Sequence, residues 1–191
     1  MEVLDDFIRQ FPENPDGYLR RASQRQLTAN DDTSMDKVYD DMEKALDVAS
    51  KKDGIYFSRS KMIYNYVLNH ADKPYADWSF DKALEEARKA VSIDPQPVYV
   101  QLVGDIQYAK GDYPAALEAY NTVNQSDLGS AATFFTTAKI KEAMKEPAEE
   151  VLALLDSCVA RFNKPYTQEA APYLLELSLI HISEPTRHSL I

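Results

Sequence analysis

Apolar residues recur at helical spacing along most of this chain. In SFDKALEEARKAV (79–91) and DYPAALEAYNTV (112–123) they fall at positions i, i+3, i+4 and i+7, which share one face of an α-helix. The two segments align at a constant offset, Phe80 with Tyr113 and Ala87 with Tyr120, and a second helical pattern precedes each of them. The pattern therefore predicts a repeat built from pairs of helices, and no strand pattern competes with it.

Turn residues divide the rest of the chain into further helices. Gly111 closes one predicted helix, Asp112 caps the next, and Pro114 lies in its first turn. Two polar insertions, 27–34 and 69–77, lengthen the loops inside repeats. The predicted helices are 2–10, 16–27, 35–49, 55–70, 79–93, 98–109, 113–124, 130–144 and 148–162, with a last one starting near 168.

The third helix pair carries the most specific set of repeat residues. They are Val100, Val103, Gly104, Gly111, Asp112, Tyr113, Ala116, Tyr120 and Val123. This set resembles the tetratricopeptide repeat (TPR) family, whose helix–turn–helix unit has about 34 residues. Small residues at one position of the first helices, Ala22, Gly104 and Ala138, fit the close approach of paired helices. The resemblance covers residues 1–176. It implies an all-α fold, a right-handed superhelical α-solenoid of about four antiparallel helix pairs flanked by half-repeats.

Charge and composition narrow the classes of partner. The formal charge is −10, and clustered Lys and Arg of the kind that bind phosphate backbones are absent, which argues against nucleic acid and against an anionic membrane surface. No apolar run reaches about 18 residues, so we expect no membrane span. The amphipathic, acidic start MEVLDDFIRQF is no signal peptide, which leaves cytoplasmic and periplasmic locations open.

The C-terminal segment differs from everything before it. Residues 177–187 read LSLIHISEPTR, which resembles the translation of a transposase-type sequencing adapter codon by codon. We therefore expect 177–191 to be an artefactual adapter-derived tail that takes no part in the fold. We also expect the natural repeat array to extend beyond both ends of 1–176, and the uncapped ends to allow self-association.

Few residues are candidates for catalysis. His70 is the only histidine outside the tail, and Cys158 lies on the apolar stripe of its helix, as a core residue would. We interpret the acidic pairs Asp40-Asp41, Glu85-Glu86 and Glu149-Glu150 as solvated helix faces. The single cysteine excludes an internal disulfide and a Cys-type zinc site, and no Gly-rich phosphate loop is present. We expect no enzyme activity, no metal and no cofactor.

A binding surface is the remaining functional feature. In the TPR family the first helix of each pair lines a concave groove that holds extended or helical peptides, so the resemblance implies a protein or peptide partner. Tyr64 and Tyr108 are the expected anchors, because aromatic side chains dominate interface energies. Carried over by repeat position, the groove residues are Ser23, Gln26, Lys61, Tyr64, Asn65, Gln101, Asp105, Tyr108, Lys139 and Glu142.

Two functions are consistent with this pattern. The first is a non-catalytic scaffold that presents the groove to its partner. The alternative is the repeat region of a larger enzyme or sensor whose catalytic or DNA-binding domain lies outside these residues.

Overall fold

The computed structural model describes residues 2–29, 31–72, 75–127 and 129–162, without the side chains of 158–160 and 162. The segment predicted as a tail, the helix expected near 168 and the side chain of Cys158 lie outside the described residues. The described part is all helical, which confirms the predicted fold class. Its helices are α1 (Glu2–Gln10), α2 (Pro15–Gln26), α3 (Asp32–Val48), α4 (Asp53–Asn69), α5 (Phe80–Ile93), α6 (Pro97–Lys110), α7 (Tyr113–Gln125), α8 (Ala131–Ala143) and α9 (Ala148–Phe162).

Side-chain caps explain most of the helix starts. The side chain of Ser79 accepts a hydrogen bond from the backbone N–H of Lys82 at the start of α5. The side chain of Asp112 accepts one from the backbone N–H of Ala115 at the start of α7. Helix α3 begins three residues earlier than predicted because Asp31, inside the first polar insertion, caps it. The Oδ1 atom of Asp31 lies 2.7 Å from the N atom of Ser34. A local hydrogen bond thus converts part of the expected loop into helix.

Backbone contacts divide the chain into two compact units, with the boundary between Lys110 and Gly111. In the first unit, α2 packs on α3, α4 on α5, and α5 on α6. In the second unit, α8 packs on both α7 and α9. The boundary falls at the turn before α7.

Small residues allow the close helix packing of the first unit. Ala22 of α2, Ser60 of α4 and Gly104 of α6 occupy one repeat position, and all three are buried. Ser60 also donates a hydrogen bond to the carbonyl oxygen of Ala83 in α5, at 2.7 Å. The buried hydroxyl is therefore satisfied, and this position tolerates a polar residue as long as it stays small.

The second polar insertion is anchored by two buried aromatic side chains. Trp78 makes edge-on contacts with the rings of Tyr66 and Tyr75, with centroids 5.2 and 5.3 Å apart. The hydroxyl of Tyr75 donates a hydrogen bond to Asp36 Oδ1 at 2.7 Å. The insertion therefore contributes to the core of the first unit and is tied to α3 and α4.

The acidic pairs were interpreted as solvated helix faces. In two of the three pairs, this interpretation was wrong for one residue. Asp41 is 2% exposed and Glu86 1% exposed, whereas their neighbours Asp40 and Glu85 are exposed. Each buried carboxylate is neutralised by arginine on a first helix. The sequence pattern did not separate the two members because neighbouring helix residues point 100° apart, and only packing decides which one turns inward.

Candidate partner-binding groove

An open groove of about 840 Å³ runs along the first unit. Helices α2 and α4 form its walls, and Leu4 of α1 closes one side. Its lining residues are Leu4, Asp16, Leu19, Arg20, Ser23, Gln24, Gln26, Leu27, Phe57, Ser58, Lys61, Met62 and Asn65. The volume lies in the range typical of ligand sites in proteins.

Four of the residues predicted from the repeat position line this groove. They are Ser23, Gln26, Lys61 and Asn65. Gln26 also has a structural contact, because its Nε2 atom donates a hydrogen bond to the carbonyl oxygen of Met62 at 3.1 Å and so links α2 to α4. Ser23, Lys61 and Asn65 are exposed and available to a ligand.

The predicted anchor Tyr64 is half-buried and is not among the residues that line this groove. Its ring lies 6.0 Å from that of Phe80, and it packs against the main hydrophobic cluster of the first unit. Burial raises the pKa of the Tyr64 hydroxyl, and the nearby carboxylate of Asp105 raises it further. Tyr64 therefore contributes to stability.

The remaining predicted residues are not among those that line this groove. Gln101 and Asp105 are half-buried on α6, and Tyr108 on the same helix is 38% exposed. Lys139 and Glu142 are exposed on α8, in the second unit. The Nζ atom of Lys139 stands 4.6 Å from the centre of the Phe135 ring, a cation–π distance. A binding role for these five residues stays a prediction.

Several lining residues were missed from the sequence. Leu19 and Phe57 stand one helical turn before Ser23 and Lys61, so their spacing could have identified them as members of the same face. Arg20 extends that face toward the start of α2. Leu4 carried no signal, because only tertiary packing places α1 beside α2.

The groove combines apolar side chains with a local excess of positive charge. Arg20 and Lys61 supply two cations, against one carboxylate from Asp16. Leu19 and Phe57 are half-buried and expose part of their apolar surface, while Leu27 is 81% exposed. Such a surface suits a ligand that brings both apolar groups and negative charge.

The residues that the structure describes include the candidate histidine His70 and side chains of the types that ligate metals. No three metal-ligating side chains cluster among them. The ring of His70 stacks on Tyr66 at 4.3 Å, and its Nδ1 atom lies 3.0 Å from the carbonyl oxygen of Tyr66, so that atom carries the hydrogen and donates it. None of the described helices has the length and apolar character needed to cross a membrane.

The solved structures include one with a similar fold. The crystal structure of MamA superimposes on this chain with a TM-score of 0.62 at 11% sequence identity, covering 83% of this chain and 84% of that one. No family model and no curated protein sequence matches the chain. Because the sequence identity is so low, this similarity shows the fold alone. The chain therefore has an all-helical fold of the TPR-like type, as MamA does.

Proposed function

We propose that this protein is a non-catalytic interaction scaffold and that the groove between α2 and α4 binds a segment of a partner protein. The observation that carries the proposal is the meeting of Ser23, Lys61 and Asn65, predicted from their repeat positions, along one open groove. TPR-like folds generally bind protein partners and are generally non-catalytic. The function follows from this surface and not from the fold by itself.

The rigidity of the groove walls supports the proposal. Arg21 and Arg25 on α2 hold the buried carboxylate of Asp41 on α3, and Arg59 on α4 contacts Glu43 of α3 and Glu86 of α5. These pairs fix the helices that carry the lining side chains. A groove that is formed before its ligand arrives loses less conformational entropy on binding.

Site-specific photo-crosslinking tests the proposal. A photoreactive residue is placed at Ser23 or at Asn65 in separate variants, and at the exposed Asp47 of α3 as a matched control. After irradiation in extract of the source cells, mass spectrometry identifies the captured proteins. We expect the two groove positions to capture the same protein and position 47 not to capture it.

Different captures at Ser23 and Asn65, or equal capture at position 47, would contradict the proposal. Capture of a second copy of this chain at both groove positions would instead assign the groove to self-association. Analytical ultracentrifugation of the unlabelled protein then checks that outcome independently.

A further inference from the structure

We infer that the groove binds an acidic amphipathic helix, one that presents carboxylates on its polar face and large apolar side chains on the other. This inference rests on the proposed function and names the class of partner for the same site. It is carried by three features: the charge of the groove, its apolar lining and the way α1 already packs on α2.

The charge of the groove is opposite to that of the whole protein. The chain carries a formal charge of −10, yet Arg20 and Lys61 project into the groove. Neither has an ion-pair partner among the described residues, although Arg21, next to Arg20 in sequence, is held by Asp5 and Asp41. Asp16 is the one carboxylate in the lining, so the groove keeps an excess of one positive charge and favours a partner that brings its own carboxylates.

Because part of the groove lining is apolar, we expect its ligand to bring apolar side chains in addition to negative charge. Leu4, Leu19 and Phe57 line the same groove as the two cations. Leu27, another lining residue, is 81% exposed. A purely acidic, polar segment would leave this surface in contact with water. A ligand with large apolar side chains removes this surface from water, which favours binding.

Helix α1 already packs on α2 through the same combination of contacts, an ion pair beside apolar side chains. It is an acidic amphipathic helix, EVLDDFIRQ, that packs on α2. Asp5 accepts a hydrogen bond from Arg21 Nη1 at 2.7 Å, and the side chains of Phe7 and Ile8 lie against Gly17. The groove offers an incoming helix the same pairing of a cation with apolar contacts, on the neighbouring part of α2. A helix laid with its apolar face in a groove is a common mode of peptide recognition.

Two designed peptides test the inference with the full chain. Both form amphipathic helices with the same Leu and Phe residues on the apolar face; one carries Glu on its polar face and the other carries Lys. Fluorescence anisotropy measures their binding to the protein, to the groove variant Arg20→Glu/Lys61→Glu and to a matched control, Lys44→Glu/Lys52→Glu. The control makes the same charge change at exposed lysines outside the groove.

We expect the Glu peptide to bind at least about tenfold more tightly than the Lys peptide. The groove variant should lose about tenfold or more in affinity for the Glu peptide, and the control variant less than about threefold. Added salt should weaken Glu-peptide binding to the wild-type protein, because exposed charge pairs are screened.

Three outcomes would overturn the inference: equal affinity for the two peptides, tighter binding of the Lys peptide, or equal losses in the groove and control variants. If any of them occurs while Ser23 and Asn65 still crosslink one common partner, the proposed function stands and only the class of ligand is wrong. If neither peptide binds and no common partner is crosslinked, both proposals fail.

Discussion

Arg21 of α2 and Asp41 of α3 form a bidentate ion pair, with Nη2 2.6 Å from Oδ1 and Nε 3.0 Å from Oδ2. In the next helix pair, Arg59 of α4 and Glu86 of α5 form a looser contact, in which Nε and Oε2 are 3.3 Å apart and make no direct hydrogen bond. Both arginines immediately precede the buried small residue of their helix. Within each of these two successive helix pairs, a buried arginine–carboxylate contact therefore joins the first helix to the second, at the same repeat position.

The substitution Asp41→Asn should destabilise the first unit strongly. Asp41 is the shared partner of Arg21 and Arg25. A neutral amide would leave Arg25 without a balancing charge and Arg21 with only the more exposed carboxylate of Asp5. Loss of one partner of a buried pair costs about 3–5 kcal/mol. Because the arginines are partly exposed, we expect a loss at the lower end, about 3 kcal/mol. Urea unfolding followed by circular dichroism measures it.

The exposed neighbour Asp40 provides the control for this measurement. Asp40→Asn makes the same chemical change on the same helix and should alter the free energy of unfolding by less than about 0.5 kcal/mol. Equal effects of the two substitutions would show that the buried pair does not stabilise the fold.

The substitution Gly17→Ala should displace α1 from α2. A Cβ atom at position 17 would lie 2.9 Å from both Ile8 Cγ1 and Phe7 Cδ1, so these side chains, and α1 with them, would have to shift. We expect faster amide hydrogen exchange across α1 and unchanged exchange in α5. The matched substitution Ser23→Ala, on the exposed face of the same helix, should leave α1 protected; loss of protection in both variants would contradict this account.

The substitution Lys145→Gly should stabilise the second unit. Lys145 has a φ of +60° where α8 ends, and the backbone N–H groups of Lys145 and Glu146 donate to the carbonyl oxygens of Glu142 and Lys141. This is a Schellman motif, in which glycine usually occupies the left-handed position. Relief of the strain should add about 0.5–1 kcal/mol to the free energy of unfolding.

Lys139→Gly, inside α8, tests whether that gain depends on position. Glycine in a helix interior should cost about 1 kcal/mol, so the two Lys→Gly substitutions should shift the melting temperature in opposite directions. A decrease in both variants would argue against a left-handed Lys145.

At acidic pH, protonation of Asp53 should weaken the contact between its helix, α4, and α6. Burial alone would raise the pKa of this carboxyl, but the hydrogen bond from the Tyr99 hydroxyl at 3.0 Å and the ammonium of Lys51 outweigh it and lower the pKa. The unfolded chain therefore binds a proton before the folded one does. The stabilisation is complete above the ordinary aspartate pKa of about 3.9 and is lost as the pH falls from there through the lower folded-state value.

Denaturant unfolding across that acidic range checks this prediction. Asp53→Asn should flatten the dependence of the free energy of unfolding on pH, whereas Asp47→Asn, at an exposed position of α3, should leave it unchanged. Identical pH profiles for the wild-type protein and Asp53→Asn would contradict it.

The helices and their order could be predicted because local signals specify them. N-caps such as Ser79 and Asp112, turn residues such as Gly111 and the apolar spacing of α5 and α7 act within a few residues of the chain. Most predicted helix ends consequently lie within one or two residues of the observed ones. The start of α3 differs more, because the cap Asp31 is separated from the apolar pattern that it precedes.

The candidate groove could be predicted only in part. Ser23 and Lys61 follow from repeat position, because a face of equivalent helices recurs along the sequence. Arg20 was missed, since a charged residue on a helix face gives no sign of whether another part of the chain neutralises it. Tyr64 was assigned to the groove by its repeat position. It is half-buried beside Phe80 and does not line this groove, so its role as an anchor stays a prediction.

The sequence by itself determined that this protein is helical, where its helices begin and end, and which of their faces are apolar, because each property depends on residues within a turn or two of one another. Only the tertiary structure decided that Asp41 and Glu86 are the buried members of their acidic pairs, that Leu4 joins the groove, and that Arg20 and Lys61 line it without an ion-pair partner among the described residues. Those outcomes depend on which helices lie side by side and on the exclusion of water between them, neither of which is encoded in local spacing.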